Sequence, residues 1–599
     1  MSFKRSIHKV RRRLSQPQIW KRVLFIISRI PFWLSLLSVL DVVYSFGFEQ
    51  SKNSQYLITS IYFAALFAGA FSLILRYLMK SERPKIKALK FDVALFGLII
   101  MVLLKEFEHH EITFFGEDYV LYFTLFWIFI RELAALNVNF KRDFLNPAQL
   151  FVLSFSLIIL IGSLLLMLPK ATHEGISFIN ALFTATSAVC VTGLAVVDTG
   201  QYFTVFGQSI ILILIQVGGL GIMTFTSYFS YFFRGDSSYE NQLQLKEMTN
   251  TERIADVFST LKKIILLTFL IEGIGFLVIF NSLDKTIIPS LADRTFFSIF
   301  HSVSAFCNAG FSTLSNGLYE VGFQFNYPLH LGIAFLFIIG GLGFPIIFNG
   351  FYYVKHLFVN RIFTKSRRKK AVHLPWVVNI NTRIVLITTT ILIVSGTGMF
   401  FFFEFNNTLE GHSTWGKMVT AFFGATTPRT AGFNTIDTSA MAFPTIMLVF
   451  LLMWIGASPG STGGGIKTST FAIATLNYLS IARGKDRVEV FNREIGDQSV
   501  RRAFAIISLS LVVVGFATFC ISYFDSEKSL LNIAFECFSA YSTSGLSLGI
   551  TSSLTAPSKL VIIATMFIGR VSMLTILIAV VKKVKYLKYK YPSEEISIN

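Results

Sequence analysis

The sequence is short of cysteine, histidine and charge, and each shortage narrows what the chain can be. Its 599 residues include four cysteines, which have neither the close spacing of a metal site nor the density of a disulfide framework: Cys190, Cys307, Cys520 and Cys537. Nine histidines are scattered along the chain, and the adjacent pair His109 and His110 would point to different faces of a helix. Because no metal-binding or nucleophilic constellation emerges, we expect neither an enzyme nor a bound cofactor.

Charged residues make up 15% of the chain, whereas hydrophobic residues make up 53% and phenylalanine alone occurs 65 times. This composition is too apolar for an ordinary soluble domain. Several apolar runs approach or exceed the roughly 20 residues that cross the hydrocarbon core of a bilayer. We therefore expect an all-α polytopic membrane protein, with clear runs at residues 151–168, 264–280, 329–348, 384–403, 504–519 and 560–580.

The net charge of +19 does not indicate a nucleic-acid partner, because the basic residues cluster between apolar runs rather than on a hydrophilic domain. Positive clusters occupy alternate loops, as is typical of the cytoplasmic side of a membrane protein. The first apolar run, residues 23–47, lacks the short core and small-residue cleavage site of a signal peptide. We therefore expect this run to be a retained span of a multi-pass protein in the plasma (bacterial inner) membrane. The N-terminus is expected to be cytoplasmic. The basic clusters expected on the cytoplasmic side are residues 4–22, 80–90, 361–370, 483–502 and 582–590.

Two regions separate near residue 146. Residues 1–145 contain four candidate spans with short connections and predict a four-helix membrane bundle of unknown role. Residues 87–92 are similar to the start of the third helix of voltage-sensor-like bundles, but the fourth span has Arg131 alone rather than a cation at every third position. That difference favours an accessory bundle over a voltage sensor. The candidate spans are residues 23–47, 56–79, 91–104 and 119–136.

The second region, residues 146–590, precedes a tail at 591–599 and contains four copies of a span, a short stretch and a second span. In each short stretch a Phe stands ten residues before a glycine, a hydroxyl residue stands six before it, and Leu or Phe follows it. The glycines are Gly193, Gly310, Gly432 and Gly545, and the hydroxyl residues are Ser187, Ser304, Thr426 and Ser539. We expect the four repeats to surround a pseudo-fourfold axis, with boundaries near residues 146–240, 255–360, 380–485 and 500–585.

Each short stretch has room for a short helix that enters the membrane and returns through residues unfavourable to helix. Non-helical backbone at that depth is tolerated where it lines an aqueous path. Glycine permits the conformations that turn carbonyl oxygens inward, and a ring of carbonyls can replace the hydration shell of a cation. One such loop is equally explained by close helix packing through small residues, but four in register favour a cation pathway. The predicted filter consists of Val191, Thr192, Gly193, Asn308, Ala309, Gly310, Thr430, Ala431, Gly432, Thr543, Ser544 and Gly545.

Further motifs accompany these stretches: Gly218-Gly219-Leu220-Gly221, Gly340-Gly341-Leu342-Gly343, Arg429-Thr430-Ala431-Gly432-Phe433-Asn434-Thr435, and a glycine-rich segment at residues 456–468. With them, residues 146–584 resemble the Trk/Ktr/HKT superfamily of potassium transporters, and in particular its TrkH/KtrB-like pore subunits. The resemblance implies uptake of potassium, with K+ at the predicted filter residues, a homodimer, and a separate cytoplasmic nucleotide-binding regulatory subunit. Sodium-preferring relatives often have serine at the position of Gly193, so four glycines favour potassium. A sodium-conducting or potassium/sodium-coupled transporter of the same fold is the alternative.

Residues 460–468 nearly match the motif of a phosphate-binding loop, but Ile466 is inserted before Lys467. The flanking residues 446–455 and 471–479 form one apolar span rather than the strand and helix that such a loop connects. A Gly-, Ser- and Thr-rich break inside a span instead lines an aqueous cavity. The resemblance implies an intramembrane loop that obstructs the pore below the filter, and an inert kink is the alternative. The predicted gate comprises Pro459, Gly460, Gly463, Gly464, Gly465, Lys467 and Arg570.

Three charged residues lie within or beside the apolar runs. Arg570 falls in the last span, and the resemblance implies an arginine near the gate at this place. The family usually continues with Gly-Pro, whereas this chain has Ser572 and Met573. A different helix geometry is therefore expected just after Arg570. Glu272 is explained equally well by a role in the pathway and by structural pairing. Arg429 stands beside the third glycine stretch, and in the simpler interpretation it bonds filter carbonyls to fix that loop.

Overall fold

A computed structural model describes residues 29–79, 86–108, 119–135, 147–221, 257–351, 353 and 379–580. Within them the chain is mainly helical, and its strands are the short antiparallel pair β1 (Glu489–Val490) and β2 (Arg493–Glu494). Five described helices are long and apolar enough to cross a membrane, and six if one bent helix pair is counted as a single span. The protein is therefore a multi-pass membrane protein. It divides into two compact units, the first built mainly from residues 1–141.

The first unit contains four described helices packed about a shared apolar core. Leu66, Ile99, Leu125 and Ile128 are almost fully buried at its centre. Tyrosine and tryptophan rings add edge-to-face contacts, including Phe91 against Trp127. The helices are α1 (Ile30–Gly47), α2 (Lys52–Met79), α3 (Ile86–Glu108) and α4 (Tyr119–Ala135).

Buried ion pairs join three of these helices. Arg131 of α4 bonds both carboxylate oxygens of Asp92 in α3, with 2.7 Å between Nη2 and Oδ2. Arg76 of α2 lies 2.9 Å from Glu132 of α4, and the Tyr77 hydroxyl donates to Asp92. The single cation of the fourth span is thus one member of a paired cluster. Each charge has an opposite partner, which reduces the cost of burying it.

Removal of one partner is expected to destabilise the first unit. Asp92→Ala leaves Arg131 buried without its counter-ion, and breaking a buried pair costs about 3–5 kcal/mol. We expect a lower midpoint of thermal unfolding for the purified protein in detergent. Glu489→Ala is the matched control, since it breaks an exposed pair with Lys485 at 3.0 Å and should cost less than about 1 kcal/mol. Equal midpoints for both variants would show that the buried pair contributes nothing.

The second unit consists of four successive groups, each with a long helix, a short helix and a second helix. The short helices are α6 (Phe178–Val189), α9 (Leu291–Cys307), α12 (Thr414–Thr426) and α16 (Leu530–Ser542). Three of them, α6, α12 and α16, pack against the long helix that precedes each, and α9 packs against the helix that follows it. The helices of the first two groups are α5 (Pro147–Leu166), α6 (Phe178–Val189), α7 (Val205–Leu220), α8 (Val257–Ser282), α9 (Leu291–Cys307) and α10 (Tyr327–Leu342). Those of the last two are α11 (Ile380–Glu404), α12 (Thr414–Thr426), α13 (Phe443–Trp454), α14 (Thr468–Ala482), α15 (Asp497–Phe524), α16 (Leu530–Ser542), α17 (Ala556–Val571) and α18 (Met573–Val580).

The short helices begin alike because each follows a serine. Ser177, Ser290 and Ser413 accept hydrogen bonds from the backbone N–H three residues later, at 3.1–3.4 Å. This bond satisfies one of the free N–H groups of the first turn and fixes where the helix starts. Ser529 stands at the corresponding place before α16. Serine caps therefore fix the first turn of three short helices, and Ser529 makes no such bond.

In three groups the second helix ends at a residue with the same backbone conformation. Gly221 has φ 74° and ψ 133°, Gly343 has φ 84° and ψ 149°, and Ser572 has φ 74° and ψ 128°. At Gly343 the chain bends by 97° between Tyr327–Leu342 and Phe344–Phe351. A different geometry was expected after Arg570, but the fourth group has the same break with serine in the place of glycine. In the third group the interruption is longer and covers residues 455–467.

Ser572→Gly is expected to stabilise the protein. A side chain at this positive φ costs about 1–3 kcal/mol, and glycine removes that cost. We expect a higher midpoint of thermal unfolding. Ser508→Gly provides a control of opposite sign, because Ser508 is exposed inside α15, where glycine costs about 1 kcal/mol. A midpoint that falls in both variants would mean that position 572 bears no strain.

Candidate functional site

The four short helices end in turns with one shared backbone pattern. The residue two positions before each glycine has a positive φ, and so has the glycine itself. The leading residues are Val191 (56°), Asn308 (60°), Thr430 (86°) and Thr543 (51°), and the glycines are Gly193 (91°), Gly310 (68°), Gly432 (79°) and Gly545 (83°). Non-glycine residues in this region are strained and persist where the surroundings hold them, as at functional sites.

Backbone hydrogen bonds hold three of these turns in the same way. The residue before the glycine donates its N–H to the carbonyl five residues earlier: Thr192 to Ser187 at 2.8 Å, Ala309 to Ser304 at 2.8 Å, and Ser544 to Ser539 at 2.9 Å. The hydroxyl of Ser187 also accepts from the Gly193 N–H at 3.1 Å. The repeated hydroxyl position therefore lies behind the turn, where it supports the backbone.

The third turn is displaced by one residue. Ala431 donates to the Thr427 carbonyl at 2.9 Å, and the Thr427 hydroxyl bonds the Phe433 carbonyl at 2.6 Å. The Ser304 hydroxyl makes the corresponding bond to Phe311. In the ungapped alignment of the copies, Thr426 corresponds to Ser304. In the structure, Thr427 makes the hydroxyl bond that Ser304 makes. The helix continues one residue further in this copy, because the Thr427 N–H still bonds the Phe423 carbonyl.

The four glycines meet in a closed ring. A Cβ atom added at any of them would lie under 3.0 Å from the carbonyl oxygen that precedes the next glycine in the ring. Around the ring, Gly193 faces the carbonyl of Ala309, Gly310 that of Ala431, Gly432 that of Ser544, and Gly545 that of Thr192. No position of the ring has space for a side chain. Each turn therefore contacts the next through its backbone.

Exposure differs sharply within the ring. The glycines are partly accessible, whereas the two residues before each of them are buried to within 1% of complete burial. All twelve residues of the predicted filter thus lie in the four adjoining turns, where the glycines are partly accessible and the residues before them are buried. Such a ring can offer carbonyl oxygens to a cation that has lost its water. The buried members are Val191, Thr192, Asn308, Ala309, Thr430, Ala431, Thr543 and Ser544.

The glycine-rich break between α13 and α14 packs on the motif that ends α10. Ser458 donates its N–H to the Gly341 carbonyl at 3.0 Å, and Phe344 donates to the Gly460 carbonyl at 3.1 Å. Gly343 has no room for a side chain against Pro459. The two breaks therefore hold each other, and their free backbone groups satisfy one another inside the protein, as membrane depth requires.

The same segment lies against three of the four strained turns. The Gly464 N–H donates to the Thr543 hydroxyl at 3.0 Å, and the Thr462 hydroxyl lies 3.2 Å from Asn308 Oδ1. Gly463 is so close to Thr430 that an added Cβ would collide with it. The segment thus covers the ring on the side of the leading residues. Thr462, which makes one of these contacts, is absent from the predicted gate, although it lies in the same polar run.

Two cations bind carbonyls of this segment. Lys467 Nζ donates to the Gly463 carbonyl at 2.6 Å and to the Gly464 carbonyl at 3.3 Å. Arg570 donates to the Thr462 carbonyl and, at 2.5 Å, to the Gly218 carbonyl. Arg570 therefore ties the segment to the end of α7. Because the lysine is bonded to the loop's own carbonyls, the geometry differs from that of a phosphate-binding loop.

Arg429 and Glu272 have partners other than the filter. Arg429 donates a side-chain hydrogen bond to the carbonyl of Gly456 at 3.4 Å, and Gly456 begins the glycine-rich break. This contact corrects the simpler interpretation, in which Arg429 bonds filter carbonyls. Glu272 Oε2 accepts from Gln216 at 3.2 Å, and its carbonyl accepts from Ser302 at 2.6 Å. These contacts join α8 to α7 and α9. They fit the interpretation of Glu272 as a structural pairing residue.

Comparison with known proteins gives the family. The profile of the cation transport protein family TrkH matches residues 121–589. This chain belongs to that family. It is 37% identical over 455 residues to Ktr system potassium uptake protein B of Bacillus subtilis (strain 168), with 75% of this chain and 96% of the relative covered. TrkH family members are transport proteins of the Trk/Ktr/HKT superfamily and not enzymes.

Other similarities support the same assignment. The potassium/sodium uptake protein NtpJ of Enterococcus hirae is 36% identical over 467 residues, which cover 76% of this chain and 98% of the relative. The crystal structure of the potassium transporter TrkH from Vibrio parahaemolyticus superimposes with a TM-score of 0.55 over 82% of this chain and 96% of its own, at 19% identity. At 19% identity, this superposition shows a similar fold.

Proposed function

We propose that this TrkH family member takes up potassium across the plasma membrane through the ring formed by Gly193, Gly310, Gly432 and Gly545. The observation that carries the proposal is the closed contact of four strained turns, each of which brings a carbonyl against the next glycine. Backbone carbonyls in a ring without side chains can replace the hydration shell of K+. Relatives named as potassium uptake proteins support the choice of ion.

The glycine-rich segment at residues 459–468 is proposed as the gate. It covers the ring through its contacts with Asn308, Thr430 and Thr543, and Arg570 holds it in that position. The segment is not helical, and a limited set of hydrogen bonds to side chains and to the backbone of the α10 break holds it, so it can move away without unfolding a helix. Uptake then requires displacement of this segment, and the ring itself remains in place.

A second candidate is transport of sodium, or of potassium and sodium together. The name of the Enterococcus hirae relative, potassium/sodium uptake protein, favours it. The ring of four glycines favours potassium, because it has no side chain that would narrow the path. The two candidates differ in the ion that competes for uptake.

Further features of the proposal concern the setting of the pore. The N-terminus faces the cytoplasm, two copies of the chain form a homodimer, and a separate cytoplasmic nucleotide-binding subunit regulates the gate. The basic loops and the family assignment support these features. Residues 1–145 act as an accessory bundle, and the paired charges around Asp92 and Glu132 support a packing role.

Growth rescue tests the proposed function. Cells that lack potassium uptake are transformed with the chain and grown in limiting potassium, with membrane insertion verified by fractionation. We expect growth to be restored, and restoration to persist in excess sodium if potassium is the preferred ion. Loss of rescue in sodium would favour the second candidate. An inserted chain that rescues nothing and takes up no rubidium would refute transport.

A further inference from the structure

Two of the short helices carry an acceptor side chain that bonds the chain just beyond the ring. His301 lies in α9, nine residues before Gly310, and Glu536 lies in α16, nine residues before Gly545. Both side chains are fully buried. Neither belongs to the predicted filter or gate. Their equivalent positions in two copies indicate a shared task.

His301 connects α9 to the segment that follows Gly310. Its Nδ1 lies 2.9 Å from the Phe297 carbonyl, which can only accept, so Nδ1 carries a hydrogen. In the neutral ring Nε2 is then an acceptor, and it lies 2.9 Å from the Ser312 hydroxyl. The same hydroxyl accepts from the Leu314 N–H at 3.0 Å. Ser312 therefore links the imidazole to the backbone two residues beyond itself.

Glu536 repeats this arrangement in the fourth copy. Its Oε1 accepts from the hydroxyl of Ser547, two residues after Gly545, and from Thr551 at 2.9 Å. The Ser547 hydroxyl accepts from the Gly549 N–H at 2.9 Å. Ser312 and Ser547 thus occupy equivalent positions and make equivalent bonds. We call each set of bonds a strut.

The other two copies lack the strut. In the first, the Thr184 hydroxyl bonds the Asn180 carbonyl of its own helix at 3.0 Å, and Ala195 has no hydroxyl to offer. In the third, Phe423 occupies the helix position. The order of the ring places the second and fourth copies at non-adjacent positions. The struts therefore stand on opposite sides of the ring.

We propose that His301 and Glu536 are positioning residues that act through Ser312 and Ser547 to set the ion preference of the ring. This inference rests on the proposed function. Discrimination between K+ and Na+ by carbonyls depends on how well their positions are held. Gly310 and Gly545 are each separated from the strutted serine by one residue, so rotation of the ring carbonyl is coupled to movement of that serine. A fixed serine resists that rotation, and an unfixed serine permits the ring to adapt to the smaller ion.

Reconstitution of the full chain tests the struts. The uptake of rubidium into liposomes is measured in competition with K+ and with Na+, which gives an ion preference independent of the amount of active protein. Glu536→Ala and Ser547→Ala should each lower the preference for K+ by about three- to tenfold, the factor that corresponds to one hydrogen bond. Glu536→Gln keeps an acceptor oxygen and should keep the parent preference. Thr184→Val is the matched control without a strut and should also keep it.

The pairing is tested by combination. If Glu536 acts through Ser547, the double variant Glu536→Ala/Ser547→Ala should lose no more preference than Glu536→Ala alone, because that single variant already lacks the Ser547 bond. Ser312→Ala, which removes the strut of the second copy, is also expected to lower the preference for K+ over Na+. The serine variants each remove one hydroxyl from a half-buried position, so they decide the matter if Glu536→Ala fails to fold.

Two results would overturn the inference. Serine variants with the parent preference, even if they carry less flux, would mean that the struts only stabilise the fold, and the proposed function would stand. A parent protein that transports neither ion would refute the proposed function and the inference with it. The parent measurement therefore separates the two failures.

Discussion

Gly193→Ser is expected to lower the preference for K+ over Na+ by about tenfold, corresponding to about 1.4 kcal/mol. The added Cβ would lie about 2.5 Å from the Ala309 carbonyl oxygen, so the first and second turns must separate or rotate. The residue also has φ 91°, where a side chain is strained. Competition of K+ and Na+ for rubidium uptake measures the change.

The control for this substitution is Gly411→Ser. Gly411 has φ 87°, so it bears the same backbone strain, but an added Cβ has open space around it. It should retain the parent preference. If Gly193→Ser also retains it, the ring does not select the ion.

Arg570→Gln is expected to raise basal ion flux about tenfold or more in the absence of any regulatory partner. Arg570 joins the Thr462 carbonyl of the gate segment to the Gly218 carbonyl, and charged hydrogen bonds contribute about 1.5–3 kcal/mol each. Their loss shifts the segment towards positions that leave the ring open. Rubidium leak from loaded liposomes measures the effect.

Deletion of residues 459–468 is the stronger form of the same test and should give a constitutive leak. Arg487→Gln, which removes an exposed charge paired with Glu494 at 3.5 Å, is the control and should leave the leak unchanged. Parent-like leak in both Arg570→Gln and the deletion would remove the gate assignment while leaving the ring intact.

The sequence indicates local features well because glycine, serine and apolar residues act on their own neighbours. The four turns follow from residue types at fixed spacing, and the break after α13 follows from its run of Gly, Ser and Thr. Ser572 shows the limit of that approach. Serine in the place of glycine suggested a different geometry, yet Ser572 has the same positive φ as Gly221 and Gly343.

Long-range partners are beyond such an approach. The Arg570 bond to Gly218 joins residues far apart in the chain, and Arg429 reaches Gly456 rather than the filter carbonyls beside it. Arg131 looks isolated in the fourth span because its partner, Asp92, lies on another helix. The displaced hydroxyl at Thr427 depends on a helical turn that continues one residue further, which no side-chain pattern reveals.

We propose that four backbone carbonyls beside Gly193, Gly310, Gly432 and Gly545 hold the transported ion. Anomalous diffraction from crystals grown with rubidium or thallium in place of potassium locates that ion. We expect anomalous density within the ring, in contact with these carbonyls and weakened by added potassium. Density at other sites and none at the ring, in protein that transports rubidium in liposomes, would contradict this proposal.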